Sequence, residues 1–323
     1  MSSRSARKVW PSVILTVLTA VTVTESRAQA SASCDRKCLE GTVDKFLAAL
    51  VAHDSSKAPF SPNVKATENG QELGVKDGLW KTATKNSSYR LYFADLEQGQ
   101  VGFIGMLEER GLPALIALRL KVENRLITQS ELIVARPREG GMGNPKCFVE
   151  PLPNLVSTLP ATERVSREEL IEAADRYFTG LDEEDSGKNV PFDDRCQRRE
   201  NGLITANNPD PKAPGMQHLG CKAQFDTGFS KFVTDVRERR FPVVDVERGL
   251  VYSVMFFDHA GNVKSYTRPD GTEVQVNPTF QRPLTFMIGE LFRVESGKIR
   301  QIEAVLLEVP YGMPSGWSPD TAQ

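Results

Sequence analysis

Histidine is scarce in this chain. The three copies, His53, His218 and His259, are far apart, and no Cys/His cluster has metal-ligand spacing, so no metal is expected. A Gly-rich phosphate loop is missing, as are a nucleophile elbow and a cysteine nucleophile with a partner, so the sequence implies no cofactor. An excess of one charge is missing too. Forty Lys and Arg stand against 42 Asp and Glu, a net charge of −2, which gives no electrostatic basis for binding nucleic acid or an anionic membrane. The doublets Arg198-Arg199 and Arg239-Arg240 read as surface ion-pairing residues. The uncharged run from Val9 to Thr24 is too short and too Thr-rich for a membrane span.

That run is instead the core of an export signal. Arg4, Arg7 and Lys8 precede it, and Ala28-Gln29-Ala30 offers the small-x-small pattern of a signal-peptidase site. Cleavage is expected after Ala30, giving a secreted or periplasmic protein with no membrane attachment. Export places the five cysteines in an oxidising compartment, where an odd number allows at most two disulfides within the chain. Cys196 and Cys221 are the preferred pair; Cys34, Cys38 and Cys147 compete for the other.

What the chain has is a repeat. Glu68-Asn69-Gly70 and Glu200-Asn201-Gly202 are 132 residues apart. Pro59-Phe60 and Pro191-Phe192 share that offset, as do Phe46 and Phe178. Asp95, Glu97, Gly99, Val101, Glu108 and Gly111 match Asp245, Glu247, Gly249, Val251, Asp258 and Gly261 at an offset of 150. Val122, Glu123, Ile127 and Glu131 match Val294, Glu295, Ile299 and Glu303 at 172. The growing offset puts one insertion between Gly202 and Asp245 and another between Gly261 and Val294, in surface loops expected around a pocket mouth.

Each copy begins with a helix. Apolar positions 39, 43, 46, 47 and 50 have helical spacing over 38–52, and Ser166-Arg167-Glu168-Glu169 is a capping box opening the second helix. Strands are expected over 89–94, 101–108, 113–122 and 126–136, joined by tight turns. Five prolines and three glycines mark 137–165 as a linker. The resulting division is a signal over 1–30, a first unit over 34–136, the linker over 137–165, and a second unit over 166–317. Helices followed by a curved antiparallel meander make an α+β fold, with a pocket between helices and sheet.

This order of elements resembles the nuclear transport factor 2-like fold, including the SnoaL-like and ketosteroid-isomerase-like proteins. More specifically, the chain is similar to an uncharacterised family of secreted tandem SnoaL-like proteins. The stretches that carry the likeness are Thr67–Gly70 with Gly78-Leu79-Trp80, Cys196–Gly202, Arg239–Asp245, and Lys298–Ala304 with Val309–Gly312. The resemblance implies two cone-shaped units and a carboxylate general base near the end of each first strand, at Glu68 and Glu200. Desolvation at a pocket wall brings such a carboxylate toward working pH. Asn201 and Asn69 are then candidate oxyanion donors, competing with a turn role that Asn-Gly favours.

The second unit is the expected site, because it carries both insertions, Arg199 beside Glu200, and a strand ending in Asp258-His259. Adjacent strand residues face opposite ways, so Asp258 and His259 share a pocket only if the strand has ended or bulged. Tyr252 is a further candidate, with Trp80, Arg240, Glu290 and Glu303 as lining. The expected activity is a cofactor-independent isomerase or lyase acting on a small, partly apolar molecule. The alternatives are a non-catalytic binding module and an interaction protein. Leu118, Leu120 and Val122 alternate with Arg119 and Lys121, so one sheet face is apolar enough to be covered. The protein is then a monomer with an internal pseudo-dimer, or a homodimer.

Overall fold

The computed structural model describes residues 34–137, 143–183 and 186–318. The export signal and its cleavage site lie outside them. Helix α1 (Arg36–Val51) starts where the Asp35 side chain accepts the Cys38 amide, and it buries Leu39, Val43, Phe46, Leu47 and Leu50. Strands β1 (Phe60–Glu68), β2 (Gln71–Glu72), β3 (Ala83–Asp95), β4 (Gln100–Glu109), β5 (Leu112–Glu123) and β6 (Leu126–Ala135) follow. They form one sheet in the order β2-β1-β6-β5-β4-β3, in which only β1 and β6 run parallel.

A short helix α2 (Pro153–Val156) leads to α3 (Arg167–Asp182), which opens with the capping box of Ser166 and Glu169. The second half then repeats the first. Strands β7 (Phe192–Glu200), β8 (Leu203–Ala206), β9 (Asp235–Asp245), β10 (Leu250–His259), β13 (Leu284–Glu295) and β14 (Lys298–Val309) form a sheet in the order β8-β7-β14-β13-β10-β9. The first insertion carries α4 (Cys221–Phe225). The second carries the hairpin β11 (Ser265–Thr267) and β12 (Glu273–Gln275). The chain is thus α+β, with two six-stranded sheets.

Each sheet buries one face against its own helix. Val101, Leu118, Leu120 and Val122 pack on α1; Val251, Met255, Phe292 and Ile302 pack on α3. The opposite faces pack on each other, through Tyr89, Phe93, Ala117 and Ile133 on one side and Tyr252, Val254, Leu291 and Val305 on the other. This corrects the reading of β5. Leu118, Leu120 and Val122 face α1, and the second sheet covers the face that carries Ala117 and Arg119. Gly289 permits the close approach: a Cβ there would meet the Tyr252 hydroxyl and lie 3.0 Å from Ala117.

Charge is also buried between the sheets. Glu131 on β6 accepts from Arg119 (3.1 Å) and, across the interface, from both terminal nitrogens of Arg240 on β9 (3.1 and 2.5 Å). Asp95 and Asp245, which end β3 and β9, make a reciprocal exchange. Asp95 accepts the Val244 amide and the Arg167 guanidinium, while Asp245 accepts the Ala94 amide and the Arg36 guanidinium. Each is 1% exposed.

Two disulfides close, Cys34–Cys38 and Cys196–Cys221, leaving Cys147 as a free thiol. The second staples α4 of the first insertion to β7. Two disulfides fit an oxidising compartment. No helix among the described residues is long and apolar enough to cross a membrane.

Removing one partner of a buried charge pair costs about 3–5 kcal/mol. Asp95→Ala and Asp245→Ala should each lower unfolding stability by about 3 kcal/mol in denaturant titrations. Losses under about 1 kcal/mol for both would show that the exchange does not hold the halves together.

A buried polar cluster in the second half

Side-chain alternation along β7 decides which groups meet. Cys196 packs on the α3 side, so Arg198 and Glu200 also point there, between sheet and helix. Arg198 is 6% exposed and its guanidinium is fully engaged. Nε donates to Thr205 Oγ1 (3.0 Å), Nη1 to the Tyr177 hydroxyl (3.1 Å) and Nη2 to Gln224 Oε1 (2.7 Å). Glu200 Oε1 lies 3.4 Å from the same Nε. Gln224 is fixed in turn by donating to the backbone oxygens of Thr205 and Met216. The first insertion therefore closes over the arginine.

Glu290 enters from β13. Its backbone pairs with Ala304 and Ser253, on the same face as Ile288 and Phe292, which pack on α3. It is 2% exposed. Burial, reinforced by the negative charge of Glu200, pushes its carboxyl up to about 8, against the pull of Arg198 and a hydrogen bond with Tyr177. At neutral pH Glu290 is mostly a neutral acid. Glu200 is the cluster's solvent-facing member, with 22% of its side chain exposed. Two carboxyl groups in unlike environments beside one cation can hand a proton on and donate to a developing oxyanion.

The other expected residues lie elsewhere. Arg199, adjacent to Glu200 on the strand, faces the space between the sheets, so it cannot act beside Glu200; Arg198 takes that position. Arg199 instead pairs in register with Glu303. Burial raises the Glu303 carboxyl to about 7, and Tyr89 lies close enough to feel both charges. Tyr252 is in the inter-sheet core, its ring 5.1 Å from Phe93, so it too is away from the α3 side. Arg240 is committed to Glu131. Asp258 is held by Arg237 (2.8 and 3.2 Å) and by the Thr285 hydroxyl. His259, on the opposite face, stacks with Phe280 and Phe232, and burial lowers its imidazole to about 4, keeping it neutral.

The asparagines are structural. Asn201, at φ +47°, accepts the Leu306 amide at Oδ1 and donates to the Leu306 oxygen through Nδ2. Asn69, at φ +51°, does the same with Val134. Each extends the parallel strand pair by one side-chain bridge, so neither amide is available to an oxyanion. Glu68 accepts the Leu79 amide (2.7 Å) and lies 3.5 Å from Arg136. Trp80 is core, its ring 5.2 Å from Phe46. Glu68 and Trp80 line a cavity of only about 20 Å3, room for about one water.

Sequence reasoning read Arg198 as a surface residue and did not single out Gln224 or Tyr177. Counting two residues back from Glu200 would have found Arg198. Gln224 comes from an inserted loop with no counterpart in the first half, so nothing in the repeat pointed to it.

A large cleft, about 1120 Å3, opens at the ends of β6 and β14, and its lining includes Asn201 and Leu203 but neither Glu200 nor Glu290. No group of three or more His, Cys, Asp or Glu among the described residues is placed to hold a metal ion.

Residues 163–306 match a family model described as a domain of unknown function (DUF8021). The matched stretch takes in α3, both insertions and most of the second sheet. A crystal structure from Methylobium petroleophilum PM1, described as a protein of unknown function with a cystatin-like fold, is 13% identical. It aligns over 35% of this chain and 85% of that one, with a TM-score of 0.28. Among curated proteins none matches.

Glu290 is raised above the ordinary carboxyl value of 4.5, so its contribution to stability is complete below pH 4.5 and lost as pH rises through about 8. Glu290→Gln should flatten this fall, gaining at least about 1.4 kcal/mol on wild type between pH 4.5 and 8.5, the worth of one pKa unit. Parallel stability curves for the two proteins would contradict the burial of a neutral acid.

Proposed function

We propose that the protein is an exported tandem SnoaL-like protein of nuclear transport factor 2-like architecture. On this reading it is a cofactor-independent isomerase or lyase acting on a small, partly apolar carbonyl compound. The observation that carries the reading is the pair of carboxyl groups, Glu200 and Glu290, gathered with Tyr177 around the buried Arg198. Glu200, reachable from solvent, takes a proton from carbon beside the carbonyl. Neutral Glu290 and the Tyr177 hydroxyl donate to the oxyanion that forms, and Arg198 balances the charge. The repeated element order and the matched positions of the two halves support the tandem organisation. The two disulfides and the amino-terminal pattern support export.

A second reading, a non-catalytic small-molecule-binding module, is favoured by the large cleft, which neither carboxylate lines. It predicts ligand-induced stabilisation without any product.

The test is solvent-deuterium incorporation beside the carbonyl of a panel of small ketones and β-hydroxycarbonyl compounds, followed by NMR. Removing a general base should cost about 100-fold or more, so Glu200→Gln should lose exchange by that factor with its thermal midpoint nearly unchanged. Activity should also fall above about pH 8, where Glu290 gives up its proton. Full exchange in Glu200→Gln would overturn the assignment.

A further inference from the structure

The large cleft has a chemistry that the proton-transfer reading does not use. Its walls mix polar and apolar groups, and the apolar ones come from three separate places. Val134 lies near the end of β6, Leu306 and Phe286 come from β14 and β13 of the second sheet, and Phe280 comes from the second insertion. Phe280 is held in place: its ring lies 4.8 Å from Phe232 and 5.0 Å from His259, stacked on both, and 6.2 Å edge-on from Phe286. A wall built from interlocked rings is preorganised, so an apolar ligand meets it with little ordering cost.

The charged groups lining the cleft are Arg136, Arg282 and Glu308; Arg136 is committed to Glu109 by two hydrogen bonds and lies 3.5 Å from Glu68, so the exchangeable guanidinium is that of Arg282. Glu308 engages Arg282 in a two-bond fork of 2.7 and 2.6 Å. Both side chains are about half exposed, 51% and 44%. An exposed pair of this kind is worth at most about 1 kcal/mol, so an incoming carboxylate can exchange for Glu308 at small cost. The guanidinium fork is a geometric match for such a carboxylate. At about 1120 Å3 the cleft has room for a ligand of drug-like size.

We propose that this cleft binds a hydrophobic carboxylate, its hydrocarbon body against Phe280, Phe286 and Leu306 and its anionic head on Arg282 in place of Glu308. The ligand class is an organic acid with an extended apolar body. The proposal stands apart from the chemistry at Glu200, which does not line the cleft.

Isothermal titration of the full mature chain with decanoate, decanol and decyltrimethylammonium tests it. Decanoate should bind several-fold more tightly than decanol, and decyltrimethylammonium should bind more weakly than either. Arg282→Gln should weaken decanoate several-fold and leave decanol unchanged. Glu308→Gln frees the guanidinium and should tighten decanoate several-fold. Phe280→Ala, with folding checked by circular dichroism, should weaken decanoate and decanol together. Equal binding of decanoate and decanol by the wild type would overturn the proposal, as would indifference of decanoate to both the Arg282 and Glu308 changes, or to the Phe280 change. The readout is heat without turnover, so a negative result here leaves the deuterium-exchange test of Glu200 unaffected.

Discussion

The reciprocal exchange between Asp95 and Asp245 is the constraint on which the rest of this structure depends. Each carboxylate ends an edge strand of one sheet. Each accepts a backbone amide from the edge strand of the other sheet, together with an arginine from the other half's helix. An ion pair whose carboxylate is 1% exposed is costly to open, because opening leaves a desolvated charge. The exchange fixes how the two edge strands meet, and so the register in which Ala117, Ile133 and Phe93 face Gly289 and Tyr252. Glu131 with Arg119 and Arg240 repeats the device inside the interface. The described residues accordingly group as one compact body.

With the sheet faces consumed by each other, only the helix-side faces are left for a site, and here the halves diverge. In the first half Glu68 caps the turn that carries Leu79, and the space beside it holds about one water. In the second, the insertion brings Gln224 and Thr205 over Arg198, and the Cys196–Cys221 disulfide anchors that insertion to β7. The same Glu-Asn-Gly thus serves two ends. Its asparagine and glycine do one job in both halves, holding a left-handed turn that bridges the parallel strands. Only the glutamate differs in role, and what surrounds it decides the difference.

The fold was legible because it rests on periodic patterns: apolar spacing in α1, the capping box of α3, the turn residues between β4, β5 and β6. The constant offsets revealed the repeat. Of the polar cluster around Arg198, the sequence singled out Glu200 and Glu290 as candidates. Arg199 looked like the partner of Glu200 because it is adjacent in sequence, but strand alternation separates neighbours and joins residues two apart, which selects Arg198. Tyr252, Arg240 and Glu303 were expected around the pocket of the second unit, yet they face the other sheet. Which face of a strand meets a helix and which meets a second sheet is set by long-range packing, and β5 shows it: both of its faces are apolar enough to be covered. Asp258 has its own arginine, Arg237, 21 residues away in sequence, a pairing that only the β9–β10 register brings about.

The claim at the centre of this account is that Glu290 is a neutral acid beside Glu200, between α3 and the second sheet. Carboxyl-selective 13C NMR of glutamate-labelled protein measures this directly. The account predicts a Glu290 resonance that titrates at about 8 and moves to lower pH in Glu200→Gln, where the neighbouring negative charge is gone. A Glu290 carboxyl already ionised below pH 5, unmoved by that substitution, would contradict it.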